Sequence, residues 1–84
     1  MVNKKATKYA LIVYHDELNQ ESFVAEVIQW TLGYEASQAA NCAHMVTRNG
    51  SYTVKTFKPT DREKAETLRD VMLEQGVPAE LEII

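Results

Sequence analysis

Cysteine, proline and glycine are scarce in this chain of 84 residues, which has one cysteine, two prolines and three glycines. The single cysteine, Cys42, excludes an internal disulfide and fits a reducing compartment. The apolar runs are far shorter than the roughly 20 residues that span a membrane. The beginning of the chain is polar and lacks the apolar segment of a secretory signal. We therefore expect a small cytoplasmic protein.

Basic residues are also fewer than acidic residues. The chain has 9 Lys and Arg residues against 12 Asp and Glu residues, a formal net charge of −3. Because nucleic-acid binding needs basic side chains that displace counterions from phosphates, this balance argues against a nucleic-acid partner. Protein partners with basic or cationic groups fit an acidic surface better.

Residue patterns typical of catalytic and metal sites are missing as well. The chain has neither a glycine-rich phosphate loop nor a serine nucleophile elbow. The possible metal ligands are His15, Asp16, Cys42 and His44, but Cys42 and His44 are two residues apart on a predicted helix and point about 200° apart. Cys42 also lies in an alanine-rich stretch without the electropositive surroundings that activate a thiol. The sequence predicts no enzyme, no metal and no cofactor.

Hydrophobic periodicity divides the chain into three strands and three helices. The predicted strands are 9–14, 51–57 and 79–84, and the predicted helices are 22–32, 37–47 and 60–75, with left-handed ends at Gly33 and Gly76. The order β-α-α-β-α-β predicts an α+β fold, a two-layer sandwich of a three-stranded antiparallel sheet and three helices. We expect residues 1–8 to be a short flexible lead and residues 9–84 to form one core domain.

Several side-chain positions follow from the same patterns. We expect the first helix to have a wide apolar face made of two neighbouring lines, which are Phe23, Val27 and Trp30 and then Val24, Ile28 and Leu32. In the second strand, strict alternation places Val54 with Thr56 on one face and Phe57 on the other. The expected helix caps are Asn19 or Ser22, then Ser37, and then Thr60 in a capping box with Glu63.

An acidic turn, His15-Asp16-Glu17, connects the first strand to the first helix. Clustered carboxylates beside an apolar strand suit an ammonium group, which they bind through charge-assisted hydrogen bonds. The alternative is a solvated acidic loop that precedes a helix N-terminus, where negative charge is favourable. The residues alone leave both interpretations open.

The ordered series of motifs along the chain resembles the ClpS adaptor family. The matching positions are Tyr9, His15-Asp16-Glu17, Phe23-Val24, Val27-Ile28, Tyr34-Glu35, Ala39, Asn49-Gly50, Phe57, Lys64, Gly76-Val77-Pro78 and Glu82. The resemblance implies an adaptor that docks on the N-terminal domain of a Clp AAA+ unfoldase. It also implies that the adaptor binds proteins with bulky hydrophobic N-terminal residues, the N-degrons, for degradation. We expect it to act as a monomer.

The resemblance further implies an N-degron-binding site. In the family, the acidic turn and a histidine at the end of the second helix hold the α-ammonium group, and apolar residues of the first two helices line a side-chain pocket. The corresponding positions here are His15, Asp16, Glu17, Asn19, Glu21, Val24, Ala43, Val46 and Thr47, with Lys64 at the unfoldase-docking surface.

Several of these positions depart from the family's pattern, although Asp16, Val24 and Val46 match it. The departures are His15 for asparagine, Glu17 for aspartate, Asn19 and Gln20 for a Thr-Pro pair, Glu21 and Ala43 for methionine, and Thr47 for the ammonium-binding histidine. Losing that histidine removes a partner worth about 1–3 kcal/mol. We therefore expect an adaptor with altered or weakened degron specificity. The alternatives are a regulator that binds the unfoldase without recognising N-degrons and, more remotely, a small-molecule pocket beside the alanine stripe.

Overall fold

The elements follow one another in the order β-α-α-β-α-β, as the sequence predicts. A computed structural model describes residues 7–84, so residues 1–6 of the predicted lead lie outside the described residues. The strands are β1 (Tyr9–Tyr14), β2 (Ser51–Phe57) and β3 (Ala79–Ile83), and the helices are α1 (Glu21–Leu32), α2 (Ala36–Asn49) and α3 (Arg62–Glu74). A short 3-10 turn, Pro59–Asp61, precedes α3.

Strand β1 lies at the centre of an antiparallel sheet with the order β2-β1-β3. Its apolar sequence suits this place, since Leu11 and Val13 are fully buried in the core under the helices. Pairing with β3 continues past the strand ends, where Lys8 and Ile84 exchange backbone hydrogen bonds of 3.3 and 2.9 Å. Lys8, which was predicted to belong to the flexible lead, is therefore paired with the end of β3.

A bulge in β2 changes which of its side chains reach the core. The register against β1 shifts at Val54, an extra residue without a partner in β1. Because an extra residue reverses the alternation beyond it, Val54 and Phe57 are both buried although they are three residues apart. Thr56, which was predicted to face the same way as Val54, is exposed. Strict alternation along this strand was the wrong prediction.

Helices α1 and α2 pack against each other and supply much of the core. The buried residues of α1 are Val24, Val27 and Ile28, and those of α2 are Ala39, Cys42, Ala43 and Val46. Short alanine side chains allow the two helices to lie close together. Of the predicted apolar face of α1, Val24, Val27 and Ile28 are buried as expected, whereas Phe23 is half-buried and Trp30 is 86% exposed.

The helix ends confirm the predicted glycine positions. Gly33 adopts a left-handed conformation with φ of 72° at the end of α1. At the end of α3, the Val77 N–H donates to the Met72 carbonyl and the Gly76 N–H donates to the Leu73 carbonyl, both at 3.0 Å. This pattern is a Schellman motif, in which Gly76 takes the left-handed position with φ of 87°.

The predicted N-terminal caps are wrong. The residues at the three N-cap positions are Gln20, Glu35 and Asp61, and none of them makes a side-chain capping hydrogen bond. Ser22 and Ser37 lie inside the first turns of their helices, and Thr60 lies inside the 3-10 turn, so their hydroxyls are not at the N-cap. The side chain of Asn19 donates instead to the Gly76 carbonyl at 2.9 Å.

Within residues 7–84, none of the helices combines the length and the apolarity that crossing a bilayer requires.

Candidate functional site

The acidic turn after β1 is held by short hydrogen bonds. The backbone N–H of His15 donates to the Gly50 carbonyl at 2.8 Å, and that of Asn19 donates to the Asp16 carbonyl at 3.0 Å. The Asp16 carboxylate accepts a hydrogen bond from the Leu18 N–H at 2.9 Å, which makes an Asx turn. The turn therefore fixes the position of this carboxylate.

The end of α2 lies directly beside this turn. The Gly50 N–H donates to the Val46 carbonyl at 2.9 Å while the Gly50 carbonyl accepts from His15, so hydrogen bonds link α2 to the turn. Thr47 is in the last turn of α2, and its hydroxyl donates to the Ala43 carbonyl at 3.1 Å. That hydroxyl is thus engaged by its own helix, a common arrangement for threonine within helices.

An ion-pair contact joins the beginning of α1 to α2. The Glu21 Oε2 atom lies 3.4 Å from the His44 Nδ1 atom, and the two side chains are 43% and 57% exposed. The contact is a salt bridge when His44 is protonated. His44 was considered only as a possible metal ligand, because no local sequence pattern indicates a contact between residues on different helices.

The apolar residues of the candidate site belong to the hydrophobic core. Val24, Ala43 and Val46 expose 6%, 0% and 1% of their surface, and they share one cluster with Val13 and Ile28. A pocket for a bulky side chain needs such residues to be accessible from outside. The apolar wall of the candidate site is therefore closed in this structure.

These contacts bring most of the candidate residues to one end of the domain. They lie on the turn after β1, at the beginning of α1 and in the second half of α2, and comprise His15, Asp16, Glu17, Asn19, Glu21, Val24, Ala43, Val46 and Thr47. Glu17 is exposed, whereas Asn19 is directed to the end of α3. The remaining candidate, Lys64, lies apart on the first turn of α3 and is exposed.

The thiol of Cys42 is a structural group of the core. It is buried, and this burial raises the pKa of the thiol, which keeps it protonated and unreactive at neutral pH. His44 is exposed on another side of α2, as the two-residue spacing predicts.

The Tyr34 hydroxyl donates to the Val54 carbonyl at 2.6 Å, and burial raises the pKa of this phenol. Between Thr7 and Ile84, no three His, Cys, Asp or Glu side chains form a group that could hold a metal ion.

Comparisons with known proteins identify relatives of this architecture. The sequence model of the family described as "ATP-dependent Clp protease adaptor protein ClpS" matches residues 4–80. The fold is similar to the structure of Agrobacterium tumefaciens ClpS2 bound to L-phenylalaninamide, with a TM-score of 0.78 and 17% sequence identity. That similarity covers 95% of this chain and 100% of the other chain. A sequence search among well-characterised proteins found no match.

Proposed function

This chain belongs to the ClpS family of ATP-dependent Clp protease adaptor proteins, and we propose that it docks on the N-terminal domain of a Clp AAA+ unfoldase and binds the N-terminal residue of substrates with altered or weakened specificity. The observation that carries this proposal is the Asp16 carboxylate, which an Asx turn holds beside the end of α2. A fixed carboxylate suits an α-ammonium group, which it binds through charge-assisted hydrogen bonds. Adaptors of this kind join substrate to unfoldase without chemistry of their own.

The half-buried position of Asp16 favours a contact with an ammonium group. An ionised carboxylate can accept about four hydrogen bonds, and the turn uses one of them. Hydrogen bonds to charged groups contribute about 1.5–3 kcal/mol. L-phenylalaninamide, which is bound in the ClpS2 structure, combines an α-ammonium group with a bulky side chain and is therefore a suitable first ligand to test.

The surroundings of Asp16 support a change in specificity. The Thr47 hydroxyl donates its hydrogen to the Ala43 carbonyl, so its oxygen can still accept from an α-ammonium group, but as a neutral partner in a position fixed by α2. The nearly complete burial of Val24 and Ala43 means that a bulky side chain can enter only when α1 and α2 move apart. If only a fraction of the molecules has α1 and α2 apart, the apparent affinity is the affinity of the open form multiplied by that fraction. Glu21 adds a carboxylate at the rim, which disfavours acidic substrates.

Fluorescence anisotropy with short peptides tests this function. Peptides labelled at the C-terminus would begin with Phe, Leu, Tyr or Trp, and N-acetylated copies would serve as controls. We expect weak, saturable binding of the free N-termini and none of the acetylated copies. Asp16→Asn should weaken binding about tenfold to a hundredfold while retaining the Asx turn, since asparagine also forms it. The matched control is Asp70→Asn on α3, which should leave binding unchanged.

A second candidate function is a regulator that occupies the unfoldase without recognising N-degrons. The closed wall of Val24, Ala43 and Val46 favours it. A pull-down with the Clp N-terminal domain separates the two functions, with Lys64→Glu as the test variant and Lys58→Glu, at another exposed lysine, as its control. Domain binding that is lost in Lys64→Glu alone, without any peptide binding at high micromolar protein, would support the regulator and reject the degron function. Absence of both interactions would reject both functions.

A further inference from the structure

The side of α1 that faces α3 forms an open groove with that helix, and none of the residues that line the groove belongs to the candidate site. The groove has a volume of about 270 Å³. Phe23, Val27 and Trp30 line it from α1, and Val71 lines it from α3. Trp30 stands at its rim and is 86% exposed. A large exposed aromatic beside an apolar floor is typical of an interaction surface, where tryptophan is enriched among the residues that dominate binding energy.

The spacing of the lining residues indicates the shape of the occupant. On α1 they recur at intervals of three and four residues from Phe23 to Thr31, and at the end of α3 they are Val71 and, four residues later, the C-cap residue Gln75. Each set is therefore one stripe along a helix. A groove between two helix stripes suits an amphipathic helix, which places its own apolar stripe into the groove.

The charges around the groove indicate the composition of the occupant. Glu26 is the one charged side chain that lines it in the part of the chain that the structure describes, and it is exposed without an ion-pair partner there. Glu26 and Trp30 are four residues apart on the same face, so a cation that pairs with the carboxylate can also lie over the indole ring. Lysine or arginine in the occupant would complement both.

We propose that this groove binds a basic amphipathic helix of a partner protein. A second copy of the chain fits less well, because a two-fold interface would bring Glu26 near its own equivalent, and the chain has a net charge of −3. This interaction requires no free N-terminus and no contact with Asp16, so it can be tested separately from N-degron binding.

Trp30 makes the proposal directly measurable, because it is the only tryptophan in the chain. The probe is an N-acetylated, C-amidated peptide of roughly 15 residues, long enough to form a helix, with leucines at helical spacing and lysines elsewhere. The control peptide has glutamates in place of the lysines. We expect the lysine peptide to shift the Trp30 emission to shorter wavelength in a saturable manner and the glutamate peptide to leave it unchanged.

Two charge-reversal variants locate the binding. Glu26→Lys should weaken binding of the lysine peptide about fivefold or more. Glu82→Lys, an equal change in charge on the exposed side of β3, should have less than half that effect. Asp16→Asn should leave binding of the N-acetylated lysine peptide unchanged. The proposal is overturned by an unshifted emission, by equal effects of the two charge reversals, or by loss of binding in Asp16→Asn. It is also overturned if the chain alone shows the same shift as its concentration rises, since a second copy would then be the occupant.

Discussion

The two sides of α1 contain similar apolar residues, which are buried on the side toward α2 and more exposed on the side toward α3. Toward α2, Val24 and Ile28 are 6% and 0% exposed; on the side of the groove, Trp30 is 86% exposed and Phe23 is only half-buried. The neighbouring helix explains the difference. Helix α2 presents alanines and can come close to α1, whereas α3 leaves an open groove beside Trp30. Packing partners therefore decide whether an apolar stripe becomes core or surface.

The difference has a functional counterpart. The side toward α2 carries the residues that the family resemblance associates with a ligand pocket, yet its apolar wall is closed and its rim holds the Glu21–His44 contact. The side toward α3 was also expected to be core, yet Val27 is buried there while Trp30 is exposed beside an open groove that carries the carboxylate of Glu26. The proposed binding of a bulky N-terminal side chain between α1 and α2 would therefore require the helices to rearrange, whereas the proposed binding of a basic helix in the groove would not.

The largest effect is expected when one apolar side chain on each side of α1 is truncated and the free energies of unfolding are compared. Ile28→Ala should lower the free energy of unfolding by about 2–5 kcal/mol, because it leaves a cavity in the core. Trp30→Ala should change it by less than about 0.5 kcal/mol, since the side chain is mostly solvated. Urea unfolding followed by circular dichroism measures both variants without depending on the tryptophan. Similar losses in the two variants would show that Trp30 packs as part of the core in solution.

A second comparison enlarges a side chain on each side. Ala43→Met should destabilise the protein by about 1–3 kcal/mol, because the site of Ala43 is fully packed. Val71→Met at the groove should change stability by less than about 0.5 kcal/mol. Thermal unfolding of both variants is the measurement. A neutral Ala43→Met would mean that α1 and α2 already leave space between them in solution, which would bring the candidate site closer to an open pocket.

The elements of this fold were largely predictable, but their detailed packing was not. The apolar run of β1 and the glycine at the end of α3 identify their elements locally, so the order and bounds agree within two residues. The bulge at Val54 lets both Val54 and Phe57 reach the core, and neither residue next to Val54 is a glycine that would have indicated the bulge. The exposure of Trp30 likewise depends on where α3 lies.

The candidate site was predictable to a similar extent. The acidic turn indicates a possible cation site from its residues alone, and the geometry adds that the Asp16 carboxylate is fixed by the Leu18 N–H. The Glu21–His44 contact and the burial of Ala43 were not predictable, because each depends on how α1 and α2 pack. The roles of these residues in binding stay predictions until peptides are tested.

The smallest expected effect concerns the rim of the closed side. Glu21 and His44 are each about half exposed, so water screens their interaction, and exposed pairs contribute at most about 1 kcal/mol. A double-mutant cycle with Glu21→Gln and His44→Gln should give a coupling energy in that range at low salt. The same cycle at high salt should give a smaller coupling energy, because salt screens the interaction between exposed charges. A coupling energy that is unchanged at high salt would mean that a hydrogen bond rather than an ion pair joins the two helices, and the rim would then resist opening at every salt concentration.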